Sequence, residues 1–131
     1  MERWIMYGLA IALGLWIGRM LSQKKQRVQI SNFIQILDVD PFAQNMRKGQ
    51  LIDLRKEADY EAGHIKGARR FSGGFLKMKN QRQVRKDQPV YLVCARGHKA
   101  RRLAPKLVRK GYRQVIVLKG GYEAYQNHKN R

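Results

Sequence analysis

The sequence predicts an α/β domain, a central parallel sheet with helices on both faces, preceded by one N-terminal transmembrane helix. Three observations carry that reading. Two β-branched and aromatic runs, Val90–Val93 and Val115–Leu118, are each followed by a helical pattern, and such alternation builds a parallel sheet covered on both sides. An unbroken apolar run extends from Trp4 to Gly18, fenced by Arg3 and Arg19. The chain has 131 residues, 44% of them hydrophobic, which suits one globular domain and argues against wholesale disorder.

The apolar run comes first. With Met20 and Leu21 it reaches from Trp4 to Leu21, about 27 Å as a helix at ~1.5 Å per residue, enough to cross a thin bilayer core. Trp4 and Trp16 stand near its ends, where amphipathic rings prefer the interface. A cleaved signal peptide fits less well, because only Met1-Glu2-Arg3 precedes the run and no small-x-small cleavage pair follows it. Arg19, Lys24, Lys25 and Arg27 flank the C-terminal end, whereas Arg3 is balanced by Glu2. The positive-inside tendency therefore leaves the C-terminal bulk in the cytoplasm, a single-pass protein of the cell membrane. Ala10, Gly14 and Gly18 form a small-residue stripe able to support a weak homodimer. The expected organisation is an anchor at 1–22, a basic linker at 23–34 and a folded domain at 35–131.

Past the linker, Asp40-Pro41 reads as an N-cap and first helical residue, with Gly49 as the stop. Residues 50–54 form a short strand. Residues 56–62 make a helical turn closed by Gly63, and 68–71 suit another short strand. A basic stretch of no clear pattern runs on to Lys86. Pro89 then introduces the strand Val90–Val93, which ends at Cys94. A helix over 99–110 puts Leu103, Leu107 and Val108 on one face, with Gly111 as its stop. The strand Val115–Leu118 ends in Gly120-Gly121, and 122–129 form the last helix.

Composition excludes several chemistries. Cys94 is the single cysteine, so the chain has no internal disulfide and no two-cysteine relay. His64, His98 and His128 are scattered without metal-ligand spacing, and the sequence calls for no metal or other cofactor. Lys and Arg number 28 against 9 Asp and Glu, a formal net charge of +19. From Lys66 to Arg131 the basic residues face only Asp87 and Glu123. That imbalance suits an anionic surface. No RNA-binding motif is visible, so anionic lipid is the simpler partner and nucleic acid is not expected.

The informative stretch is Cys94-Ala95-Arg96-Gly97-His98-Lys99, between a buried strand and a helix. Ligands of open parallel sheets gather at the carboxyl ends of strands, where this loop lies. A tight turn there aims successive backbone N–H groups inward as an anion nest, and the following helix adds the positive end of its dipole. Arg96 and Lys99 strengthen that field, which favours a thiolate at Cys94. A buried, inert cysteine is the plainer alternative.

Two further stretches accompany this loop. Leu51-Ile52-Asp53-Leu54-Arg55 leads to Tyr60-Glu61-Ala62-Gly63-His64-Ile65-Lys66-Gly67-Ala68, and Leu118-Lys119-Gly120-Gly121-Tyr122 closes the set. In that order they resemble the opening motif, active-site loop and Gly-Gly turn of single-domain rhodanese-like proteins, over residues 36–125. The resemblance implies the rhodanese-like fold and a sulfurtransferase. Cys94 would be the nucleophile, taking sulfane sulfur from thiosulfate or a protein persulfide and passing it to a thiol or other nucleophilic acceptor. The backbone of Ala95, Arg96, Gly97, His98 and Lys99 would cradle the persulfide and donor oxyanions. Asp53 and Arg55 would bond beneath the loop and fix its shape, and His64 would close the neighbouring turn.

The loop departs from the common Cys-x-x-Gly-x-Arg-Ser form at Lys99 and Ala100. Lysine keeps the charge and loses the planar fork, so weak thiosulfate turnover and a protein persulfide donor are expected. Phosphatases of the same fold need Cys-x5-Arg, and that arginine position falls on Ala100. The remaining alternative is a non-catalytic binding or sensing module at the membrane.

Overall fold

The computed structural model describes residues 1–71 and 77–131. Contacts divide the chain into two units, Met1–Asn32 and Phe33–Arg131.

The first unit is one helix, α1 (Glu2–Ser31), long and apolar enough to cross a membrane. It runs through most of the stretch expected to be a linker. Gln, Lys and Arg are good helix formers, and no Gly or Pro lies between Gly18 and Pro41 to stop it. Residues 23–31 of the expected basic linker are thus helical, the last turns of α1.

The second unit contains β1 (Ile34–Leu37), α2 (Val39–Asn45) with a 3-10 turn at Met46–Lys48, and β2 (Gln50–Asp53). Then come α3 (Glu57–Ala62), α4 (Met78–Gln81), β3 (Val90–Val93), α5 (His98–Arg109), β4 (Val115–Leu118) and α6 (Gly121–Lys129). The four strands form one sheet in the order β1-β4-β3-β2, every pair parallel. β1 was not foreseen and forms an edge. The expected strand over 68–71 contracts to a single bridge between Ile52 and Arg69, and 72–76 of the patternless stretch lie outside the described residues. Helix α2 starts two residues early, capped by Asp38, so Pro41 is its third residue. Its missing N–H costs nothing there, because the first intrahelical bond is Phe42 N–H to the Asp38 carbonyl at 3.1 Å.

Alternation along the strands divides the core into two layers. Val90, Leu92, Val115 and Val117 join Ala100, Ala104 and Leu107 of α5 on one face. Tyr91, Val93, Ile116 and Leu118 meet Phe42, Met46, Tyr60, Tyr122 and Tyr125 on the other. Helices cover both faces, as expected. Among the described residues, both clusters draw only on the second unit, which carries its own core. Leu54 N–H donates to the Val93 carbonyl at 2.7 Å, so the carboxyl ends of β2 and β3 finish side by side. Cys94 follows β3, an inner strand.

Candidate active site

Cys94 is buried, 3% exposed, at the base of a cleft of about 360 Å³. Its Sγ accepts hydrogen bonds from Gly97 N–H at 3.0 Å and Ala100 N–H at 3.4 Å. Two donors aimed at one sulfur stabilise negative charge on it, the local form of an anion nest. Gly97 turns the loop with φ +93, a left-handed conformation that glycine adopts without strain. Ala100, one residue beyond the expected cradle, supplies the second donor. The signal was present: Ala100 occupies the first turn of α5, where backbone N–H groups lack intrahelical partners.

The Gly-Gly turn holds this loop from behind. Tyr122 N–H donates to the Cys94 carbonyl at 2.8 Å, and Glu123 N–H to the Ala95 carbonyl at 3.2 Å. Gly120 and Gly121 both have positive φ. A Cβ on Gly121 would meet the Cys94 carbonyl oxygen, with the Ala95 carbonyl carbon and the Arg96 nitrogen each 2.7 Å away. The close approach explains the second glycine; the turn explains the first.

Leu54, Arg55, Lys56, Asp59, Ala95, Arg96, His98 and Lys99 complete the cleft wall. Lys99 extends its ammonium to the Leu54 carbonyl at 3.0 Å, tying the loop's cation to the end of β2. Arg96 is exposed and pairs with Glu123 at 3.2 Å. Lys56 and Asp59 were not foreseen at the cleft, since the helical pattern of α3 does not say which sheet end it flanks.

Asp53 and Arg55, expected beneath the loop, form a buried ion pair. Arg55 donates to both Asp53 carboxylate oxygens, at 2.9 to 3.1 Å, with the Arg55 side chain 6% and the Asp53 side chain 0% exposed. The same guanidinium donates to the Gly63 carbonyl at 2.6 Å and lies 3.8 Å over the Tyr122 ring. The pair thus braces the Gly63 turn and Tyr122, whose own N–H holds the Cys94 carbonyl, while Arg55 also lines the cleft beside the loop. A planar fork oriented by one carboxylate has its remaining edge and face for those two partners. His64 stacks on Tyr60 at 3.9 Å and approaches the Tyr60 carbonyl through Nδ1 at 2.8 Å. It closes the turn and does not line the cleft.

A parallel sheet whose inner strand ends in a cysteine, cradled by backbone amides at a helix start, defines a loop-cysteine α/β domain. Residues 26–128 match the rhodanese-like domain family, and the chain belongs to that family, one of sulfurtransferases and related modules. It is 36% identical over 92 residues to the uncharacterized protein YqhL of Bacillus subtilis (strain 168), covering 70% of this chain and 72% of that one. Among solved structures it resembles a rhodanese-like domain protein from Staphylococcus aureus, at TM-score 0.61 and 20% identity, over 70% of this chain and 90% of that one. It also resembles the reduced CoADR-RHD of Bacillus anthracis, at TM-score 0.61 and 25% identity, over 72% of this chain and 17% of that one.

Proposed function

We propose that this chain is a membrane-tethered cytoplasmic sulfurtransferase that carries sulfane sulfur as a persulfide on Cys94. The observation that carries the reading is Cys94 Sγ at the base of the cleft, facing two backbone N–H donors. The thiolate attacks the outer sulfur of thiosulfate or the terminal sulfur of a protein persulfide. The donor's S–S bond breaks, and sulfite or the donor thiolate leaves with the bonding electrons. A thiol acceptor then attacks, as its thiolate, the outer sulfur of the Cys94 persulfide. It departs as a new persulfide and returns the Cys94 thiolate. Positively directed N–H groups suit both charged states of the cysteine.

Mass spectrometry of the domain 33–131, after exposure to thiosulfate or to a desulfurase-generated persulfide, tests this. One sulfur adds about 32 Da, removable by a thiol. Cys94→Ser abolishes the gain. The burial of Cys94 favours one rival, a non-catalytic binding or sensing module at the membrane. Absence of the adduct with every donor decides for it.

A further inference from the structure

The sheet separates charge as well as core. One layer holds α5 and the segment containing α4 and Val84, joined through Tyr112, whose hydroxyl donates to the Gln81 carbonyl at 3.3 Å. The other holds α2, α3 and α6. Six of the domain's acids belong to that second layer: Asp38 and Asp40 at α2, Glu57, Asp59 and Glu61 on α3, and Glu123 on α6. Three of these are engaged, Asp38 with Lys119, Asp40 with His128 and Glu123 with Arg96.

The α5 layer is different. The helix His98–Arg109 contains no acidic residue. Its core stripe is Ala100, Ala104 and Leu107. On a 3.6-residue repeat, Arg101, Arg102, Lys106, Arg109 and the C-cap Lys110 fan across the opposite side, and all five are exposed. Among the described residues, none of the five pairs with a carboxylate. The acid that follows α4, Asp87, is held by Arg85 at 2.6 Å. Five unneutralised cations on one helix face leave a strong positive field that nothing inside the domain answers.

We propose that this face of α5 docks on an anionic lipid surface. The choice of lipid rests on the tethered reading above: Asn32 alone separates α1 from the domain, so an inserted α1 delivers the domain to the headgroups. Single-stranded RNA is read with exposed aromatic rings, and the cationic face carries none. The cleft is lined by residues that follow β2 and β3 at the carboxyl edge of the sheet, whereas the five cations lie on the side of α5 away from its core stripe.

The domain 33–131, which has its own core, is mixed with vesicles of neutral phosphatidylcholine alone and with about a third of phosphatidylglycerol. Binding is expected only to the anionic vesicles and is lost near 1 M salt, where the ~3 Å Debye length screens the face. Each cation contributes about fivefold to partitioning, so the triple change Arg102→Gln, Lys106→Gln, Arg109→Gln weakens it by about a hundredfold. An unchanged thermal midpoint shows that this variant is folded. Equal binding to both vesicles, no binding, or a triple variant that binds like wild type overturns the proposal. Displacement from vesicles by RNA at equal phosphate concentration reassigns the face to nucleic acid and also overturns it. None of these readouts involves α1 or the chemistry of Cys94, so failure here is distinct from failure of the tether or of sulfur transfer.

Discussion

Lys99 donates its ammonium to the Leu54 carbonyl, so the cation closing the loop is anchored to β2 before any donor arrives. A guanidinium there could keep that bond and still present a planar pair of N–H groups to an oxyanion, a bidentate fork that the ammonium lacks. Under the sulfurtransferase reading, Lys99→Arg lowers the Michaelis constant for thiosulfate by about tenfold, one charge-assisted hydrogen bond at ~1.4 kcal/mol. Sulfur uptake from a protein persulfide barely changes, because that donor draws affinity from its own interface. Steady-state kinetics with both donors measures the contrast; equal effects on both show that lysine sets no donor preference. Arg55 is a different kind of residue. It neutralises the fully buried Asp53, so Arg55→Met strands a carboxylate and costs about 3–5 kcal/mol in urea unfolding. Asp53→Leu combined with Arg55→Met removes both charges and is markedly milder. If the double variant is as unstable as the single one, the lost Gly63 and Tyr122 contacts matter more than the stranded charge.

Between elements, the decisive contact is the Gly-Gly turn pressed against the cysteine loop. Gly121→Ala forces its methyl into the Cys94 and Ala95 backbone and strains a residue with φ +64. A loss of about 2 kcal/mol or more is expected, together with reduced sulfur uptake by the molecules that remain folded. Much of this was legible beforehand. β3, β4 and the loop between β3 and α5 are visible because four-residue apolar runs end at a cysteine or a Gly-Gly pair. β1 was not: Ile34–Leu37 is a short edge strand with only Ile34 and Leu37 half-buried, and the helix before it has no stop signal. The true partners of Arg55 were equally hidden, because Gly63 and Tyr122 meet it only after two elements pack. The clamping of Tyr112 beneath α4 is likewise tertiary, and has a pH signature. Burial raises the hydroxyl pKa of both Tyr91 and Tyr112 above the ordinary value. The folded state therefore keeps protons that the unfolded chain releases, so this stability is full below about pH 10 and falls as pH rises beyond it. Tyr112→Phe should flatten that alkaline decline in a pH series of urea midpoints; an unchanged slope assigns it elsewhere.

At the scale of the whole molecule, the question is what α1 does with its length. Thirty residues make a helix of about 45 Å, whereas a bilayer core is ~30 Å thick. The stretch from Trp4 to Gly18 is apolar around its whole circumference, as lipid on all sides demands and as a soluble amphipathic helix is not. Under the tethered reading, the remaining turns, with Lys24, Lys25 and Arg27, would lie among the headgroups, and the positive-inside tendency would hold those cations on the cytoplasmic side. Full-length protein in inverted membrane vesicles should therefore lose its domain to added protease, and in right-side-out vesicles should keep it. The extracted protein should retain residues 1–22 by intact mass, which a cleaved signal peptide would lack. Leu13→Arg places a charge near mid-span at a cost of about 2.5–3.5 kcal/mol, enough to reduce insertion on the order of a hundredfold and shift the chain to the soluble fraction. Protection of the domain in inverted vesicles would reverse the topology, and a Leu13→Arg protein that stays inserted would show that the helix is held by something other than its apolar span.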